Sequence, residues 1–262
     1  MAFPETPRVI YERNPLVEVI CQLRFPPILR IDSDPPAAFQ DTIRDQYPNF
    51  REVQPSVPDL PKEIVKIMGK DFPMRIGNVV YEFISSDEQW KISLARDFIA
   101  LTAYKYERWE QFRNNLSMPL QALVNIYSPA FYTRIGLRYR DVIQRSNLGL
   151  VDKKWSELLM PHIAGELSSP NIAENVLHQK HDILIRLQEQ ENNGLVHLQH
   201  GLGEEGESGE KIYIIDSDFY SEKKTEKENA IQILDYFNKQ AARLFRWCIS
   251  NSLHDAMGPR PI

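Results

Sequence analysis

Between Val79 and Tyr106 three β-rich runs follow one another with almost no residues between them, and that spacing limits the architectures open to the chain. Tyr81 and Phe83 flank Glu82; Trp90, Ile92 and Leu94 alternate with Lys91, Ser93 and Ala95; Phe98 to Tyr106 is rich in strand formers throughout. Parallel pairing needs a crossover of about a dozen residues or more, so neighbours this close pair antiparallel, as a meander. A helix comes next, with Trp109, Phe112, Leu116, Leu120, Leu123 and Tyr127 stepping by three or four as a stripe that packs on a sheet. Pro119 is expected to kink it. After Ser128-Pro129 comes another strand, Phe131 to Ile143.

The order then recurs. Ile183, Ile185 and Leu187 read as a strand, Asn192-Asn193-Gly194 as a turn, Leu195 to Leu202 as the returning strand and Lys211 to Phe219 as a third. A long terminal helix closes the chain on the stripe Ile231, Leu234, Phe237, Ala241, Leu244, Phe245 and Cys248, with Trp247 one step round. The pattern predicts an α+β fold of two halves, 1–147 and 148–262, joined near Gln144 to Val151. Each half is an antiparallel meander followed by a long helix on the sheet, and an internal duplication is one explanation of the recurrence.

Ahead of the first meander, Val17, Val19, Cys21 and Leu23 alternate with Glu18, Gln22 and Arg24 in a strand over 16–25. Asp34-Pro35-Pro36 reads as a capped helix start, followed by Phe39, Ile43 and Tyr47 on one face. Pro55, Pro58, Pro61 and Pro73 mark 54–73 as an irregular excursion.

Composition narrows the function classes. At 262 residues, 42% hydrophobic and 26% charged, the chain is neither disordered nor membrane-embedded in character. Net charge is −5, with 19 basic and 18 acidic side chains over residues 1–150 against 12 and 18 over 151–262, so no overall positive field gathers nucleic acid. The start Met-Ala-Phe-Pro-Glu-Thr-Pro-Arg lacks a basic, apolar leader, and no window nears the roughly 18 apolar residues of a membrane span. A cytoplasmic protein is expected. Cys21 and Cys248 sit in apolar segments far apart, which reads most simply as two free buried thiols, a single disulfide being the alternative.

Motif by motif, the chemistry is sparse. Gly201-Leu202-Gly203-Glu204-Glu205-Gly206 has the spacing of a dinucleotide fingerprint, but it lies between strands and carries carboxylates that would repel a pyrophosphate. A two-residue turn at Asn193-Gly194 would set His200 opposite Ile185 and His197 opposite Gln188, pointing the two histidines to opposite sides; His178 and His181 diverge as well. No metal site is expected, and no cofactor. His200 reads as a buried, hydrogen-bonded histidine before a catalytic one. Asp216 and Asp218 share a strand face in a spacing used by metal-dependent transferases, though helix-approach caps are the simpler reading. These three residues are the only enzyme nominees, and they assemble no nucleophile, base and orienting group.

Arg134-Ile135-Gly136-Leu137-Arg138-Tyr139-Arg140 is more suggestive. In a strand Ile135, Leu137 and Tyr139 point one way and Arg134, Arg138 and Arg140 the other. Such a guanidinium face either binds a small anion bidentately or is matched by carboxylates on neighbouring strands, and the ion-pair reading is favoured.

These residues also carry a resemblance. Asn14-Pro15-Leu16-Val17-Glu18-Val19 with Phe25, Tyr132-Thr133-Arg134-Ile135-Gly136-Leu137-Arg138-Tyr139, and the ending His254-Asp255-Ala256-Met257-Gly258 resemble a sporadically distributed family of prokaryotic proteins of about this length. The charged pair Arg140-Asp141 departs from its pattern. The resemblance implies a fold, and the patchy distribution is similar to that of accessory genes of defence or toxin-neutralising systems. The expected function is a non-enzymatic interaction or accessory protein with a protein partner or a second copy of itself. The alternative is a small-anion or nucleotide-binding module lined by Arg134, Arg138 and Arg140 between the halves. Membrane and nucleic-acid roles are disfavoured.

Overall fold

The structure is a computed structural model in which residues 3–53, 79–187, 194–206 and 209–261 are described. It is a mixed α/β protein built on one antiparallel sheet. The sheet contains β2 (Leu16–Arg24), β3 (Asn49–Val53), β4 (Val80–Ile84), β5 (Trp90–Ala95), β6 (Phe98–Ala103), β7 (Arg134–Gln144), β8 (His181–Leu187), β9 (Gly194–Glu204) and β10 (Lys211–Ser221). Their order across it is β3-β4-β5-β6-β2-β7-β10-β9-β8, with every neighbouring pair antiparallel. Apart from it, β1 (Val9–Tyr11) pairs with β11 (Pro259–Pro261) and ties the two chain ends together.

The close spacing that predicts a meander gives one. Ala95 pairs with Phe98 across a two-residue turn, and β4, β5 and β6 are consecutive neighbours. The longest helices among the described residues are α1 (Ala37–Ile43), α2 (Trp109–Tyr127), α3 (Ala230–Cys248) and α4 (Asn251–Ala256). α2 continues through Pro119 and packs on β6 and α1, while α3 packs on β7 and β10. Both cover one face of the sheet, where Val19, Cys21, Leu23, Ile92, Leu101, Ile135, Leu137, Ile215 and Phe219 are buried. Removing that much apolar side chain from water, at about 1.5–3 kcal/mol each, is what holds helices to sheet. Alternation sends the polar set, including Gln22, Arg138, Asp216, Asp218 and Gln199, to the opposite face.

The terminal helix buries Leu234, Phe237, Ala241, Leu244 and Cys248 as its stripe predicts. Trp247 extends beyond the sheet and meets the rings of Phe3 at 5.5 Å and His162 at 4.0 Å. Both cysteines are free and buried.

Several local expectations are corrected. Val17 is 43% exposed instead of sharing the buried face of Val19, because β2 carries an extra residue at that point. Asp34 does not cap α1, whose N-cap is Pro36; it instead ends a short turn at Arg30–Ser33. Leu187 pairs with Gly194, so His200 faces His181 instead of Ile185, and His197 faces Leu184. The connection is six residues long, so the register of a two-residue turn does not apply; Asn192 and Asn193 lie outside the described residues, as does the proline-rich 54–73. Gly201 and Gly203 lie within β9. At Gly201 the reason for glycine is local, since a Cβ there would collide with the carbonyl of Gln179.

Candidate functional site

The central ladder of the sheet, β2 against β7, shifts register once. Glu18 stands opposite Arg140, but Leu16 stands opposite Asp141, so Val17 is the extra residue of a bulge. Asn14 fixes the entry to this point: its amide donates to the Tyr106 carbonyl at 3.0 Å, and its side-chain oxygen accepts from the Leu16 N–H at 3.1 Å. The bulge turns Val17 outward while Leu16 stays on the helix-covered side, packed against the core. Asp141, in the same alternating phase as Ile135, Leu137, Tyr139 and Ile143, lies on that side too.

There it lines a cavity of about 900 Å³, walled by the segment entering β1, the start of α2, the middle of α3, and α4 with β11. Asp141 is only 4% exposed, and among the described residues its carboxyl makes no hydrogen bond and no ion pair. Burial raises its carboxyl well above the usual range, and the charge of Asp216 adds to the effect. A carboxyl in this position holds its proton well above the pH at which an exposed aspartate loses one.

The rest of the wall is aromatic and hydrogen-bonded. The Tyr139 hydroxyl donates to Asn238 Oδ1 at 2.9 Å, and Tyr106 reaches the same oxygen at 3.4 Å, the two rings meeting edge-on at 5.8 Å. The Tyr11 hydroxyl lies 2.7 Å from His254 Nδ1, with its ring 5.9 Å from that of Phe245. Burial pushes the Tyr11 phenol up to about 12 and that of Tyr139 well above its ordinary value. His254 is lowered by burial and by the Arg246 charge, against the opposing charge of Asp255. Trp109 Nε1 donates to Asp235 at 2.6 Å, joining α2 to α3 beside the cavity.

The arginines nominated from the sequence lie on the other face of the sheet. Arg138 holds Asp216 with two bonds, Nε to Oδ1 at 2.7 Å and Nη2 to Oδ2 at 2.5 Å. Arg134 pairs with Asp218 at 2.7 Å and lies over the Tyr220 ring at 4.8 Å. Gly136 makes room for it, because a Cβ there would collide with the Arg134 guanidinium. Arg140 is exposed. Asp216 and Asp218 are therefore strand residues engaged by arginine, not helix caps. His200 faces the helix side, so the structure does not bring it together with either aspartate.

His200 instead belongs to a buried cluster. Its Nδ1 lies 2.8 Å from the Tyr213 hydroxyl, which donates to the Ile163 carbonyl at 2.9 Å, and its ring stacks on that of His181 at 4.9 Å. With the Tyr213 proton committed to Ile163, His200 is the donor, and its Nε2 has no partner among the described residues. Burial first, then the charges of His181 and His162, lower His200 to about 4. Among the described residues no group of three or more His, Cys, Asp or Glu is placed to hold a metal ion, and no helix is long and apolar enough to cross a membrane.

Asp141 was signalled in the sequence as a carboxylate in the apolar phase of a strand. Tyr11, Asn238 and His254 carried no such sign, since pairing of the chain ends brings them to it. No family model, curated protein or solved structure matches the chain.

Proposed function

We propose that the protein is a small-ligand-binding module whose site is the cavity over Asp141. The observation that carries this reading is a buried carboxyl without a partner at the wall of a 900 Å³ cavity, a size within the range of small-molecule sites. Asp141 lines the cavity, so a ligand's donor can reach a carboxyl that has none from the described residues. Arg134, Arg138 and Arg140 have no part in this site, because the first two are engaged by carboxylates on the opposite face. The test is a thermal-shift screen of small molecules on the wild type and on Ala242→Trp, a substitution at an exposed position of the cavity lining. Ligands that stabilise the wild type should lose their effect in the variant. Hits that survive the substitution would place the site elsewhere.

An interaction or accessory role is the second reading, favoured by the apolar side chains exposed at one edge of the sheet. On the edge strand β8, Leu184 is 59% exposed and Ile183 38%, with Leu177 nearby in sequence at 77%. Its residues are self-complementary about Leu184, since antiparallel pairing with a second copy sets Asp182 against Arg186 and Ile183 against Ile185. Defence or toxin neutralisation, membership of the resembled family and a cytoplasmic location belong to this second proposal, and the last suits two free thiols.

We also infer an internal duplication. Its support is the strand order, in which β4-β5-β6-β2 on one side mirrors β8-β9-β10-β7 on the other about the antiparallel β2–β7 pair. Each set runs strand, excursion, three-strand meander, long helix. On this reading β7 opens the second half, and the join falls at 128–133 instead of near 144–151. The cavity then lies where the start of one long helix meets the middle of the other.

A further inference from the structure

Of the charges lining the cavity, three arginines are matched by carboxylates at its mouth. Arg8 pairs with Glu110 at 2.6 Å, Arg113 with Asp235 at 3.3 Å and Arg243 with Glu5 at 3.2 Å. Arg246 donates to the Ile249 carbonyl and to the side-chain oxygen of Asn251. Glu107, Arg108 and Lys239 stand exposed at the rim, where water and salt screen them. Asp141 alone of these charged groups is buried without a hydrogen-bonding or ionic partner among the described residues. What this carboxyl lacks is a donor and a countercharge that would let it ionise.

We propose that the cavity binds an organic cation, a primary or secondary amine carried on an apolar body of one or two rings, with the ammonium seated at the Asp141 carboxylate. This rests on reading the cavity as the ligand site. An ammonium seated there lets the carboxyl release its proton to solvent by supplying both the countercharge and the donors that the carboxylate needs, and a charge-assisted bond of this kind is stronger than a neutral one. The rings of Tyr11, Tyr106, Tyr139 and Phe245 line the same space, and aromatic faces attract cations through their quadrupole. The remaining volume admits more than the ammonium itself. An anion in the same place would lose its hydration beside a carboxyl, with Arg8, Arg113 and Arg243 already paired at the mouth.

The arrangement is tested with three probes that share one skeleton and differ in charge: phenethylamine, 2-phenylethanol and phenylacetate. Each is titrated by calorimetry and thermal shift against the full chain as wild type, Asp141→Asn and Asp141→Ala. Phenethylamine is expected to bind and stabilise the wild type, with the other two weaker. Both variants should weaken it by roughly 10- to 100-fold, the worth of a hydrogen bond to a charged group. The three-probe ranking on the wild type stands even if a variant fails to fold. Phenylacetate or phenylethanol binding as tightly as the amine would overturn the cation assignment while leaving the cavity as a ligand site, and so would amine binding that survives both substitutions. Failure of all three probes to bind at millimolar concentration would count against the assignment and the cavity reading together.

Discussion

Asp141 stands opposite Leu16 at the register shift of the β2–β7 ladder, and this pairing places a carboxyl on the helix-covered side of the sheet. The bulge at Val17 keeps Leu16 in contact with the core while the strand twists away beyond it. A site built on a central strand is held more rigidly than one built on a loop, and Asp141 has rigid neighbours on both sides, Leu16 on β2 and Ile215 on β10.

Asp141 should therefore lower stability as pH rises. Its carboxyl binds a proton more tightly in the folded than in the unfolded chain, so the folded state loses ground as pH climbs from the ordinary aspartate range through the raised value. Tyr11 of β1, Tyr139 of β7, Asp216 of β10 and Cys248 of α3 are the titratable or charged groups that interact with it. Asp141→Asn is expected to melt higher than the wild type at pH 7.5, with the difference vanishing in acid. A gain of about 1 kcal/mol corresponds to roughly 2–4 °C in a chain of this size. Equal melting temperatures at both pH values would show that the carboxyl is solvated.

His200 acts in the opposite sense. Its folded value of about 4 lies below the ordinary 6.5, so the unfolded chain takes up the proton first and stability falls as pH drops through that window. The loss amounts to on the order of 3 kcal/mol between those limits, at about 1.4 kcal/mol per unit. His200→Leu should flatten the acid limb of a plot of unfolding free energy against pH, and an unchanged acid limb would assign it to other groups.

On the open face, Arg138 and Asp216 are partly exposed, so their two-bond contact is screened. A double-mutant cycle of Arg138→Ala and Asp216→Ala is expected to give a coupling of about 1 kcal/mol or less, declining with salt. Because the Asp216 charge acts on Asp141 through the sheet, either substitution should change amine binding in the cavity far less than Asp141→Asn does.

The terminal helix is integral to the fold. Leu244 is fully buried, and Leu244→Asp places an unpaired charge among apolar side chains, a change that costs several kcal/mol. Lys239→Ala, at an exposed position, should change stability by less than about 0.5 kcal/mol. A chain ending at Glu222 leaves the helix-covered faces of β7 and β10 bare and should show no cooperative melt by circular dichroism.

The sheet and the long helices were legible because periods of two and of three to four residues record local geometry. Trp90 to Ala95 and the stripe from Leu234 to Cys248 lie where their spacing puts them. The β8–β9 register was not legible, because it depends on a six-residue connection and not on the turn signal at Gly194. Nor could alternation alone reveal the bulge, since Val17 continues the apolar pattern of Val19 and is displaced only by the pairing of β2 with β7. The cavity was least legible. Its walls meet through the pairing of β1 with β11, two short segments some 250 residues apart in the chain that carry no strong strand signal of their own.

A crystal structure of the wild-type protein soaked with phenethylamine tests the central claim most directly. The amine nitrogen should lie roughly 2.7–3.1 Å from an Asp141 carboxylate oxygen, with the ring among Tyr11, Tyr106 and Tyr139. An empty cavity at saturating amine, or a ligand held at the rim by Glu107 with Asp141 still unpaired, would contradict it.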